Sequence, residues 1–237
     1  MAIELGLLTL GAYLVGSIPA AYLAARWSRG IDIRKYGDGN VGATNLMRLT
    51  SRWTAIPVVI FDLGKGALMV WIARRLGLDA IPQVVVGLAA VIGHNWPVFL
   101  RFNGGRGIFT SLGVFSILVP WLGLISLVIA YGLAPFHQLS IGVLLAVLFA
   151  PAAAWFLSQP LGIGVADKLP IALGFLAIFL IVVIRRLTAP RTKFTASVST
   201  GRLLLNRLLF DRDIRDRKAW VEQRPSQSGK QGEGPEP

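Results

Sequence analysis

Apolar residues come in long runs in this chain, and polar residues collect between them. Leu5 to Ala25 is the first run, interrupted by small polar residues, tyrosines and a proline. Ala80 to Phe102 is another, carrying His94, Asn95 and Arg101 near its end, and Gln138 to Phe156 and Leu169 to Ile184 follow. A helix needs about 20 mainly apolar residues to cross roughly 30 Å of hydrocarbon. The pattern predicts spans at about 3–26, 53–74, 80–101, 107–119, 121–135, 138–157 and 169–186. Pro120 splits a stretch too short for two full crossings. The fourth and fifth spans therefore form two short crossings, a re-entrant hairpin or one bent crossing, for a total of seven, five or six. The first run is too long for the apolar region of a signal peptide and no basic region precedes it, so it reads as a retained span.

Composition agrees. Of the 237 residues 54% are hydrophobic and 15% are charged, where a soluble domain carries roughly a quarter charged. The expected fold is an all-α integral membrane protein, a compact bundle of about seven transmembrane helices. A formal net charge of +12 raises the thought of nucleic acid, but the cations sit beside the apolar runs, as in loops that face anionic headgroups. Membrane lipids are the expected partners, and nucleic acid is not. The absence of cysteine removes disulfides and thiolate chemistry.

Lysine and arginine set the orientation. Arg29, Arg34, Lys35, Arg48 and Arg52 lie in the first loop, Arg101 and Arg106 after the third span, and Arg185, Arg186, Arg191 and Lys193 at the start of the tail. An odd number of crossings puts all three segments on one side, expected to be cytoplasmic, with the N-terminus out and the C-terminus in. Arg74 and Arg75 then fall outside, against the trend. The location implied is the inner (cytoplasmic) membrane, multi-pass. Residues 1–190 read as the transmembrane domain and 191–237 as a basic cytoplasmic tail. Within the tail, Ser197 to Arg217 has the composition of an amphipathic helix, lying on the membrane surface or packed on the cytoplasmic loops. Pro225 to Pro237 has a disordered composition.

Polar residues within or beside spans are costly to place and so are informative. They gather in three segments. The first is the glycine-rich loop Gly37 to Arg48, where Asp38, Gly39, Asn40, Gly42, Thr44, Asn45 and Arg48 combine flexible backbone with hydrogen-bond donors. Such loops form anion nests, although three glycines also suit a tight turn. The second is Asp62 and Lys65, three apart and so on one helix face. They form a structural ion pair, or Lys65 meets an anionic group of a substrate. The third is His94, then Gly104, Gly105, Arg106 and Gly107, opening a helix that bears Thr110 and Ser111. A helix start favours phosphate. His94 reads first as a structural hydrogen-bonding residue and second as a base. Three cationic segments at one membrane face suit a substrate with phosphate and a hydrocarbon tail. The residues give no nucleophile–base pair, no metal-ligand cluster and no cofactor motif.

The same segments carry a resemblance. Gly16-Ser17-Ile18-Pro19, Gly30 to Lys35, Gly39 to Asn45 with Arg48, Asp62 with Lys65 and Gly66, Gly93-His94 with Pro97 to Phe99, and Gly104 to Gly107 with Thr110 and Ser111 resemble, in order and spacing, the bacterial acyl-phosphate-dependent glycerol-3-phosphate acyltransferases. That resemblance implies seven spans with the N-terminus out. It implies acyl transfer from acyl phosphate to the 1-hydroxyl of glycerol 3-phosphate, giving lysophosphatidic acid and phosphate without an acyl-enzyme. The site residues it implies are Arg48, Arg106 and Lys65 as catalytic cations, with the loops at Gly39–Arg48 and Gly104–Gly107 holding phosphate on the cytoplasmic face. Two departures stand out. Asp38 replaces the family's usual serine, and the tail lacks the family's histidine, with Asn206-Arg207-Leu208-Leu209 a partial echo of its last motif. The alternatives are an acyltransferase for another polyol phosphate, or a non-catalytic or transport protein that binds phosphate esters.

Overall fold

Proline breaks the first apolar run into two helices. The computed structural model describes residues 2–189 and 195–221, and in it α1 (Ala2–Ser17) stops before Pro19 and α2 (Ala20–Arg29) starts after it. The single helix expected over 3–26 is therefore interrupted, because proline has no N–H to continue the ladder. Next come a 3₁₀ turn (Ile33–Lys35), α3 (Ala43–Leu49), α4 (Arg52–Arg75), α5 (Ala80–Asn95), α6 (Ile108–Leu118), α7 (Pro120–Gly132), α8 (Leu139–Phe156), α9 (Val165–Leu187), α10 (Thr200–Phe210) and α11 (Arg217–Val221). No strand occurs among the described residues. Five helical segments there are long and apolar enough to cross a membrane, and α6 and α7 are shorter apolar helices. Arg191, Lys193 and the segment from Pro225 to Pro237 lie outside the described residues.

Glycine lets the spans approach one another. A Cβ at Gly16 or Gly93 would strike the backbone at Ala90 or Tyr13, so α1 and α5 touch main chain to main chain. Gly66 and Gly113 do the same for α4 against α6, at the carbonyls of Thr110 and Leu63. Small residues at such crossings are how helices pack where lipid is the solvent. Larger side chains fill the centre. Phe115 and Phe175 pack with ring centroids 4.4 Å apart, among Val91, Val114, Ile178 and Val182. Many apolar side chains point outward, such as Ile60, Val128 and Phe156, as lipid contact allows.

The short helices α6 and α7 form an antiparallel hairpin. Gly123 of α7 abuts Ser116 of α6, and Ile108 at the start of α6 packs against the cluster of Ala130, Val143 and Ala146 from α7 and α8. α6 and α7 are thus two separate helices that meet at Val119 and Pro120. At the far turn of this hairpin, Arg74 donates to the Leu118 carbonyl at 3.3 Å, and Arg75 stacks on Trp71. The two arginines that ran against the charge trend are thereby partnered.

The tail helix is shorter than its sequence predicts. It ends at Phe210, where Asp211 turns left-handed at φ 54°, instead of continuing to Arg217. It packs on the spans α8 and α9.

Candidate active site

The first loop is tied down by its own side chains. Asp32 accepts from the Arg34 backbone N–H at 3.1 Å and pairs with its guanidinium at 2.7 Å. The Arg34 hydrogen bond holds the Asp32 carboxyl below the usual carboxylate range. Gly37 and Gly39 adopt φ of 63° and 69°. A Cβ at Gly37 would collide with Asn45. Asn45, fully buried, donates its amide to the carbonyls of Tyr36 and Asn40, each at 3.1 Å. The segment read as one loop to Arg48 turns helical at Ala43. Its N–H groups are also less open than an anion nest needs. The Gly39 N–H goes to the Tyr36 carbonyl, and the Asn40 N–H goes to Asp38 Oδ1 at 3.0 Å.

Asp38 pairs with Arg48, at 3.6 Å. Burial pushes its carboxyl above the usual range, against the pull of Arg106 and Arg48.

The second loop is anchored from α5 and α9. Gly104 and Gly105 donate their N–H groups to the carbonyls of Asn95 and His94, at 3.2 and 3.1 Å. Their own carbonyls accept from Arg185, at 2.9 and 3.0 Å. These two glycines thus shape the loop and do not offer free N–H groups to phosphate. Arg106, 5% exposed, donates Nε to Asp211 at 2.6 Å and Nη1 to Asn40 Oδ1 at 3.3 Å. Burial opposes its charge, but Asp211 and Asp38 outweigh it and raise its pKa.

Behind both loops lies a buried cluster. Lys65 Nζ is 2.9 Å from Asp62 and 3.4 Å from the Ile18 carbonyl, which sits at the proline break. His94 Nδ1 is 3.5 Å from the same Asp62 oxygen. The structural ion pair is the arrangement that forms, and Lys65 does not reach the cavity wall.

These elements enclose a cavity of about 420 Å³, within the usual range for small-ligand sites. One end is polar, with Asp38, Asn40, Arg48, Arg106, Arg186 and Asp211. The other runs between α6, α7 and α8 past Leu112, Phe115, Leu127, Val143 and Val147. Of the residues expected at the site, Gly42, Thr44, His94, Gly107 and Ser111 also line it, whereas Gly39, Asn45, Gly104, Gly105 and Thr110 lie behind the wall. Residues the sequence reading missed are Arg185, Arg186 and Asp211. Arg186 donates to the carbonyls of Leu208 and Ser140, at 2.7 and 2.8 Å. A signal for the two arginines exists, since the buried stripe Ile171, Phe175, Ile178, Val182 of α9 continues at helical spacing onto them.

Residues 6–192 match the family model for glycerol-3-phosphate acyltransferase. This chain belongs to the glycerol-3-phosphate acyltransferase family. It is 46% identical over 221 residues to glycerol-3-phosphate acyltransferase 5 of Dehalococcoides mccartyi, covering 93% of this chain and 94% of that one. A second relative from another strain of that organism, glycerol-3-phosphate acyltransferase 4, is 46% identical over 209 residues, 88% of this chain and 89% of the relative. Among solved structures, an integral membrane glycerol 3-phosphate acyltransferase, PlsY, superposes with a TM-score of 0.68 at 29% identity, covering 92% of this chain and 98% of that one. That protein was crystallised in glycerol 3-phosphate and lysophosphatidic acid forms. The family, the all-α fold and the membrane class agree with the sequence reading.

Proposed function

We propose that this protein transfers a fatty acyl group from acyl phosphate to the 1-hydroxyl of glycerol 3-phosphate, releasing lysophosphatidic acid and inorganic phosphate. The observation that carries the reading is one cavity with arginines at its polar end and an apolar path between spans at the other. An acyl donor and an anionic acceptor need both in one place. Family membership supports the same acceptor.

The chemistry is direct attack. The glycerol oxygen bonds to the acyl carbon, the carbon–oxygen bond to phosphate breaks, and the departing phosphate takes the proton. Arg106 and Arg48 hold the phosphate oxygens and stabilise developing charge. Asn40, Thr44 and Ser111 orient the acceptor. Lys65 acts through Asp62 by fixing His94 at the cavity wall. The basic end of the bundle faces the cytoplasm of the inner membrane, following the excess of lysine and arginine there, and the tail from residue 191 lies on that side.

The test is product formation by purified protein in detergent or vesicles, with acyl phosphate and glycerol 3-phosphate, read by mass spectrometry. Lysophosphatidic acid with stoichiometric phosphate is expected. Failure with acyl phosphate and every polyol phosphate tried would remove the enzyme reading and favour a binding or transport role.

A further inference from the structure

We infer that Asp211 is an internal counter-ion that occupies the substrate's phosphate position on Arg106 and sets how tightly the site takes an anionic acceptor. The inference rests on the functional reading above for the identity of that acceptor, but the occupancy itself is read from geometry alone.

The tail enters the site at Asp211. The residue ends α10 with its backbone left-handed at φ 54°, its N–H bonded to the Arg207 carbonyl at 3.1 Å. From there the carboxylate reaches Arg106 Nε at 2.6 Å, the short distance of a charge-assisted bond, and the one a phosphate oxygen would make in its place. Nη1 of Arg106 donates to Asn40. An anion that takes the Nε–H of this cation therefore exchanges with Asp211.

The nearby carboxylates have other duties. Asp213 is held by Arg207 at 2.7 Å and by the Thr195 hydroxyl at 2.7 Å. Asp38 faces Arg48. Asp211 stays partly exposed, at 22% of its side chain, while its partner arginine is buried. An exposed carboxylate on a buried cation is the partner that can leave at the smaller desolvation cost. The rest of the tail stays fastened by Arg186 to the Leu208 carbonyl, so exchange requires only a side-chain rotation at the end of α10. The consequence is a site whose apparent affinity for phosphate esters is lowered by its own carboxylate.

The experiment compares the full-length wild type with Asp211→Asn and Asp211→Gly. Both replacements tolerate left-handed backbone, so one serves if the other folds poorly. Asp79→Asn, at the opposite end of the bundle, is the control. Inorganic phosphate binding is measured by calorimetry in detergent, and KM for glycerol 3-phosphate is measured in parallel. Removing the competing charge should tighten phosphate binding and lower KM by about tenfold, the worth of one charge-assisted hydrogen bond, with kcat little changed. Unchanged or weaker phosphate binding in the folded variants overturns the inference, even if acyl transfer proceeds. Tighter phosphate binding in a chain that makes no product under any acceptor would keep the counter-ion and remove the enzyme reading.

Discussion

Arg185 donates to the Gly104 carbonyl at 2.9 Å, which ties the end of the last span to the glycine-rich loop that presents Arg106. Its second bond, to the Gly105 carbonyl at 3.0 Å, makes the clamp two-pronged. A buried guanidinium that satisfies two carbonyls positions the loop without itself lining the cavity.

Replacing Arg185 by methionine should leave both carbonyls unsatisfied and destabilise the bundle by about 2–3 kcal/mol. Turnover should fall with KM rising, because Arg106 loses its fixed approach. Lysine at the same place should restore part of each. A denaturation midpoint and steady-state kinetics on both variants check this, and a methionine variant as stable and active as wild type would show that the clamp is dispensable.

The apolar helices were legible because hydrocarbon length dictates them, but the break that Pro19 makes in the first run was not. The loop before Arg48 was legible as special, but its helical half was not, since Ala43 to Leu49 is too short for a periodic signal. Asp38, Asn40, Arg48 and Arg106 do meet at one end of the cavity, as their clustering at one membrane face requires. Gly104 and Gly105 bond to the carbonyls of Asn95 and His94 and accept from Arg185, partners that a local pattern does not show. Asp211 was missed for the same reason. It lies 105 positions from Arg106, and an acid alternating with arginines in a basic tail reads as solvated.

Arg48 and Arg106 lead to the second prediction. Alanine at either removes a charge-assisted contact worth about 1.5–3 kcal/mol, which is one to two decades in kcat/KM. Arg106 should be the more damaging site, because its loss also leaves Asp211 and Asn40 without their shared donor. Kinetics with both substrates, on variants shown to elute as intact protein, measure it. Near-normal turnover in both would sink the assignment.

Topology gives the third. Lys35 in the first loop and Lys218 in α11 are both exposed at the site end, and Asp79 lies in the turn at the other end. Single cysteines introduced there are clean labels, since the native chain has none. A membrane-impermeant thiol reagent on intact cells should miss Lys35→Cys and Lys218→Cys and modify Asp79→Cys. Labelling of the first two from outside would invert the orientation.

Asp38 gives the last prediction, and its sign follows from its surroundings. Burial raises its pKa from the ordinary 3.8, more than Arg106 and Arg48 lower it. The folded chain therefore holds this proton more tightly than the unfolded chain does. The stability this group contributes is full at pH below 3.8 and declines as pH rises through the window up to the raised value. Asp38→Ser abolishes that decline. The variant should gain on wild type as pH rises through the window, and the gain should be constant above it. The same change removes a negative charge near the phosphate position. At an effective dielectric of about 20, a charge roughly 6 Å away is worth on the order of 2–3 kcal/mol. Glycerol 3-phosphate should thus be used as well or better by the serine variant, with Arg48 freed from its partner at 3.6 Å. Thermal unfolding across pH and acceptor kinetics at neutral pH test the two halves independently. A large loss of glycerol 3-phosphate turnover in Asp38→Ser, with stability behaving as stated, would mean that the carboxylate grips an acceptor hydroxyl and that the natural acceptor is another polyol phosphate.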